Sequence, residues 1–513
     1  MKRDLVVRHL LLVALVTAAL FVAILLGLAP QGVANEAQPF YSLPWNDNPF
    51  HPGNLRTSNG KMVDWRSLPS GEQCGACHLQ EYREWAASMH AITGNDVLYE
   101  SSIRQNELAS HNAGGLGTEK IRWCDSCHEP LGILTGASTP LPQTGPNEAI
   151  EEGAACVLCH TASAARPVAG NGGLTIALPE LRRYLDPALI MAAPAEHVRA
   201  MQSTRQNPLL ASSAFCGACH NEIRPTEVAG TAPMHFQETF DEWERSRYAK
   251  QGIQCQHCHM ARDPAGYVGA LKRGEQPAKT VSHRFIGNNY LLNDTSLPND
   301  LVLTLRGGRP PGAERLFSSK QFRADLDEQR RQVLAFMQQA ADLRLRGQIS
   351  GQQATIVVEV HNSGAGHDLP TGARDQRYMW LELSVRDRNG ILHRQGEFDM
   401  ARQAEDPQAV KWLKIMRNLQ GEHDRRHILF DVQSYSYTRK PIAAHSHDSV
   451  NYRLDLQRLP QGTVSVEARL WYRLALPDIL KNAKQQLQLD ISHPIPPILL
   501  ARSELHLQQG GKP

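Results

Sequence analysis

The chain has 513 residues, with 54 Lys and Arg against 52 Asp and Glu, a formal net charge of +2. So even a balance gives no case for nucleic acid or for a strongly charged partner, and the length calls for more than one domain. All ten cysteines fall between Cys74 and Cys258, which leaves a long remainder without any.

Lys2, Arg3 and Arg8 precede Leu10 to Leu28, a run of nineteen residues without a charge. A basic flank followed by an apolar run is an export sequence. The length reaches that of a membrane-spanning helix, whose basic flank stays cytoplasmic with the rest outside. Gly32-Val33-Ala34 is a small-x-small sequence suited to signal peptidase. Residues 1–34 therefore read as a signal sequence or an N-terminal membrane anchor, the anchor being preferred on length. No second long apolar run follows.

The cysteines form one motif, five times: Cys74-Gly-Ala-Cys77-His78, Cys124-Asp-Ser-Cys127-His128, Cys156-Val-Leu-Cys159-His160, Cys216-Gly-Ala-Cys219-His220 and Cys255-Gln-His-Cys258-His259. A redox dithiol, a zinc site or a disulfide also uses paired cysteines, but none calls for histidine directly after the second one. C-x-x-C-H is the attachment signature of c-type haem, in which two thioethers hold the porphyrin and the histidine reaches the iron. The chain is thus expected to bind five haem c groups covalently, outside the cytoplasm.

First cysteines of successive motifs are 50, 32, 60 and 39 residues apart, too irregular for a tandem repeat. So little chain per cofactor predicts a loop-rich, mostly helical domain over residues 35–300, with porphyrins supplying much of its core. Tyr82, Trp85, Ala86 and Met89 recur at helical spacing, and His90 follows. In one continuous helix His90 would lie about 18 Å from His78, so as a ligand it would serve a different haem. Phe236, Phe240, Trp243 and Arg247 predict a second helical face. A haem with histidine on both faces is saturated and passes electrons, whereas an open face can bind a small substrate. Candidate second ligands here are His90, His111, His197, His235 and His283, with His111 the weakest. His257 is expected beside a neighbouring haem, and Met260 in packing.

The stretch Cys74 to Ala91 (C-G-A-C-H-x-x-x-Y-x-x-W-x-x-S-M-H-A) resembles the multihaem cytochromes related to the nitrifiers' tetrahaem electron carrier and hydroxylamine oxidoreductase. Glu242 to Met260 and Ser213 to His220 resemble later haem segments of similar proteins. The resemblance implies that His90 is an axial ligand, and that His283, in His283-Arg-Phe285, is another. The C-x-x-C-K haem of ammonia-forming nitrite reductases is absent, as is an eight-haem complement, so those activities are not implied.

Residues 301–348 predict a helical connector, with Phe322, Leu326, Val333, Phe336 and Leu343 as its apolar positions. Over residues 349–513 the period switches to two. Ile356, Val358 and Val360 alternate, as do Met379, Leu381, Leu383 and Val385 before the turn Asp387-Arg-Asn-Gly390, and Val464 to Tyr472. These strands predict a β-sandwich, of which the immunoglobulin-like arrangement is one form, with a helical insertion over Glu405 to Leu419. The whole is then an α+β multidomain protein. His367 sits in a shaped loop, Gly364 to Gly372, similar to one in β-domains of related multihaem cytochromes, and is expected either to ligate a haem or to cap its turn. His445 and His447 read as solvated. The leading expectation is an exported electron carrier between a membrane-linked donor and a periplasmic or outer-membrane acceptor. An oxidoreductase acting on a small nitrogen or sulfur oxyanion at one open-face haem is the alternative, and a structural or extracellular subunit the third.

Overall fold

The computed structural model describes residues 48–508, apart from 65–67, 113–117, 138–151, 225–233, 431, 489–492 and 494. The N-terminal segment read as a signal or anchor lies outside the described residues. Within them, no helix is long and apolar enough to cross a membrane.

The molecule is mixed α and β. From Gly71 to Met337 it is built of helices, most of them one to three turns, with only short strands between. Helix Leu79–Ala87 buries Tyr82, Trp85, Ala86 and Ala87. It stops two residues before Met89, because Ser88 is extended (ψ 171°) and its hydroxyl takes the Trp85 carbonyl at 2.7 Å. His90 then opens a separate 3-10 turn, so the continuous helix expected from the sequence is broken there. The second expected helical face is also divided. Phe236 lies on the strand Met234–Gln237, ahead of helices Thr239–Glu244 and Arg247–Lys250.

Helix Ser319–Met337 is capped by the Ser318 hydroxyl, which accepts from the Gln321 N–H, and buries Phe322, Leu326, Val333 and Met337. It ends before Leu343, which belongs to the first long strand, Ala341–Ser350. Three strands, in the order His447–Asp455, Gln353–Asn362, Ala341–Ser350, form one antiparallel sheet. A five-stranded antiparallel sheet is centred on Tyr378–Asp387 and Val464–Arg473, with Ile498–Leu507 at one edge. Val410–Trp412 and Gly390–Gln395 pair along the other side of Tyr378–Asp387. The hairpin at Asp387–Gly390 needs Gly390, whose φ of +117° is unfavourable for residues with a Cβ.

Gln353–Asn362 and Val464–Arg473 alternate buried and less buried residues, as a half-covered strand should. Tyr378 to Val385 is buried at every position, so this strand is covered on both faces. One apolar cluster joins Tyr82 and Trp85 through Phe322 and Val333 to Ile356, Val385 and Leu470. Residues 405–419 are strands, not the expected helix: Val410–Trp412 adds to the large sheet, and Lys414–Arg417 pairs with His423–Asp424 and Ser434–Tyr437.

Candidate haem-binding centre

Each motif forms about one helical turn. The His78 N–H donates to the Cys74 carbonyl and the His220 N–H to the Cys216 carbonyl, each at 2.9 Å. His128, His160 and His259 end helices Thr118–His128, Cys156–His160 and Cys255–His259. Positions i, i+3 and i+4 share a helical face, so both thiols and the imidazole point the same way. Between motifs, the thiols of Cys74 and Cys156 lie within interaction range of each other, as do those of Cys127 and Cys219 and those of Cys216 and Cys255. The Cys127 thiol donates to the Cys219 carbonyl at 3.8 Å. Cys159 also shares its electrostatic surroundings with Cys219. The first motif therefore adjoins the third, and the fourth adjoins the second, the third and the fifth.

Three motif histidines face a second imidazole. His160 and His283 have ring centres 6.3 Å apart and planes 23° apart. His259 and His367 lie at 6.3 Å and 19°, and His90 and His220 at 6.4 Å and 48°. Two metal–nitrogen bonds of about 2.0 Å, plus about 1.1 Å from each nitrogen to its ring centre, span about 6.2 Å. The gaps thus fit one iron each. His259 Nδ1 lies 2.6 Å from the Ile286 carbonyl, His367 Nδ1 2.9 Å from that of Asp368, and His128 Nδ1 2.9 Å from that of Thr93. A carbonyl only accepts, so Nδ1 carries the hydrogen and Nε2 keeps the lone pair for a metal. Burial pushes the imidazoles of His90, His128, His160 and His367 down to about 4, and that of His220 to about 3. All five are neutral at pH 7, the form that binds metal. No group of three or more His, Cys, Asp or Glu side chains is placed to hold a metal ion among the described residues. Haem needs none, because the porphyrin brings its own nitrogens.

The second imidazoles come from three separate places in the chain that the fold brings to the motifs. His283 is pinned through its N–H to Glu84 Oε2 (2.7 Å), which also accepts from the Ser282 hydroxyl. His90 packs against Phe285 at 4.3 Å, and its carbonyl accepts from the Ala154 N–H. The His367 loop is held by Asn362, whose side-chain amide donates to the carbonyls of His367 and Ile442. Arg374 ties the same loop to buried Glu242 at 2.8 Å. A Cβ on Gly366 would meet the Tyr248 ring at 2.9 Å, which explains a glycine beside His367. Nothing in the sequence pointed to Glu84 or Glu242, since single acidic residues on helices are ordinary surface groups.

His78 and His128 fall outside these three pairs. His78 is exposed, and His128 stacks on Tyr99 with ring centres 3.9 Å apart. His197 is half-buried, with Nδ1 2.7 Å from the Tyr184 carbonyl. His235, on Met234–Gln237, carries a buried Nδ1 without a hydrogen-bond partner. His257 accepts from the Gln254 N–H at 3.0 Å and so caps its own motif helix. His445 packs on Tyr248, and His447 stacks on His361. The side chain of His111 lies outside the described residues.

Residues 73–161, which contain the first three motifs, match the family model described as cytochrome c554 and c-prime. The fold is similar to the crystal structure of a penta-heme cytochrome c552 from Thermochromatium tepidum, with a TM-score of 0.52 and 19% identity over 86% of this chain and 100% of that one. Both findings support a multihaem cytochrome c. They agree with covalent c-type haem. No curated protein matches the chain.

Proposed function

We propose that the chain is an exported pentahaem c-type cytochrome that relays electrons between a membrane-linked donor and a periplasmic or outer-membrane acceptor. The observation that carries this reading is the contact order of the motifs. Thiols of the first and third, the second and fourth, and the fourth and fifth lie within interaction range, and the third lies beside the fourth. Five haems attached there would form one connected path, branching at the haem on His220 towards those on His128 and His259.

In this reading Cys74, Cys77, Cys124, Cys127, Cys156, Cys159, Cys216, Cys219, Cys255 and Cys258 form the thioethers. His78, His128, His160, His220 and His259 are the near ligands. His283, His90 and His367 serve the irons on His160, His220 and His259. The candidates for the iron on His78 are His197 and His235, and His197 fits better because its Nδ1 already faces a carbonyl. Bound haem supplies one-electron chemistry. The chain holds the buried imidazoles of His90, His128, His160, His220 and His367 in their neutral form. Residues 1–34 would export the chain and, if retained, tether it to the inner membrane. The segment 35–300 would be the haem domain, 301–348 the connector, whose last residues already enter the strand Ala341–Ser350, and 349–513 a β-sandwich serving as a docking module, immunoglobulin-like in plan.

Flash photoreduction of the oxidised holoprotein tests the relay. A single electron entering should redistribute among the haems at a rate independent of protein concentration. Redistribution that scales with concentration would mean that the haems do not communicate within one molecule.

A further inference from the structure

Residues 424–430 leave the strand His423–Asp424 and dock against the second motif. Ile428, Leu429 and Phe430 share an apolar cluster with Trp123 and Phe236, and Cys124 packs against it. Asn106, on the helix Val97–Asn112, clamps this segment. Its amide donates to the His427 carbonyl at 3.0 Å, and its oxygen accepts from the Leu429 N–H at 2.7 Å. Arg224, fully buried, donates to the Leu429 carbonyl. The clamp holds His427 at a φ of +62°, a left-handed backbone that residues other than glycine rarely adopt. Backbone held this way gathers at sites where a side chain must point in one direction.

The His427 ring lies deep in the molecule, its side chain 13% exposed, with Nδ1 2.6 Å from Oδ2 of Asp375, which is 2% exposed. A carboxylate only accepts, so Nδ1 carries the hydrogen, and in the neutral ring Nε2 is the nitrogen that keeps a lone pair for a metal. His427 belongs to the same segment that packs on Trp123 and Cys124, and it lies within electrostatic range of His128. His128 is the deeply enclosed motif histidine that the three facing pairs leave out. A carboxylate behind an imidazole is also the usual way to orient a metal ligand and raise its basicity.

We propose that His427 is the sixth ligand of the haem attached at Cys124, Cys127 and His128, with Asp375 as the residue that positions it. The inference rests on the reading that the second motif carries haem. His128, His259 and His367 turn Nδ1 to backbone carbonyls, whereas His427 turns it to a carboxylate, which favours the ferric state more strongly. The haem on His128 is therefore a low-potential branch of the relay, saturated by a ligand that the sheet-rich part supplies.

The test uses the full holoprotein made with a haem-ligation system, with haems counted by mass and ferric spin states read by EPR. His427→Ala should keep all five haems, convert one in five from low to high spin, and regain the low-spin signal when imidazole is added. Asp375→Asn should leave every haem low-spin while raising the potential of one and leaving the other four unchanged. If His427→Ala loses haem through misfolding, His427→Met and Asp375→Asn decide instead, the former keeping the haem low-spin with a changed signal. A high-spin haem in the unaltered protein that binds cyanide, unchanged in amount by His427→Ala, would overturn the proposal. So would an Asp375→Asn protein with all potentials unmoved. A peptide spanning Cys124 and Cys127 without haem mass would instead overturn the reading that the second motif carries haem.

Discussion

Residues 71–337 and residues 341–507 are held by different means. In the first region the helices are short, and cysteines and histidines meet across them: Cys74 with Cys156, Cys216 with Cys255, His283 with His160. In the second, long strands bring rows of apolar residues together, such as Leu381, Leu383 and Val385 opposite Leu470, Ala468 and Val466. Cofactor attachment uses chain for thiols and imidazoles at fixed places, and the helices between them need only reach the next motif. Apolar packing instead needs periodicity sustained over many residues. In the proposed reading the first region depends on its prosthetic groups as well as on apolar packing, and the second on hydrophobic burial.

The largest expected effect breaks the first region alone. Replacing Cys156 and Cys159 by alanine should lower the haem count by one and sharply reduce the folded yield, because the third motif adjoins the first and neighbours the fourth. Recovery of folded protein at the normal yield would mean that this region needs no haem to fold. Next comes the sheet region. Trp380 is fully buried and donates to the Gly396 carbonyl at 3.0 Å. Trp380→Ala should cost about 3–5 kcal/mol in denaturant unfolding, with the haem count unchanged. At a metal ligand within the first region, Glu84→Ala leaves the His283 N–H and the Ser282 hydroxyl without their acceptor. The expected loss is about 1–3 kcal/mol, accompanied by a high-spin signal from one haem. Least of all, Ser318→Ala removes the cap of the helix Ser319–Met337, for about 1 kcal/mol and no change in any haem spectrum.

What the sequence made legible follows the same division. The five motifs were plain because the chemistry of attachment fixes residue types at fixed spacing, and the strands were plain because burial on one face imposes a period of two. His90, His283 and His367 were singled out, and the fold sets each opposite a motif histidine. Which motif each would face was not legible, because that depends on how distant segments pack. The break at Ser88 shows why: one hydroxyl taking the Trp85 carbonyl turns the chain before the apolar period ends. Residues 405–419 misled in the same way, since short strands paired at a sheet edge carry no long alternation. His427 and Asp375 are 52 residues apart in sequence and belong to no motif, so only the folded chain brings them together.

The most direct measurement is low-temperature EPR of the purified ferric holoprotein, with haem quantified and the spins integrated. Five haems, all low-spin, are predicted for a relay whose irons each hold two protein ligands. A substantial high-spin component that changes on adding nitrite, hydroxylamine or sulfite would contradict the account and assign the protein to small-molecule chemistry at an open iron.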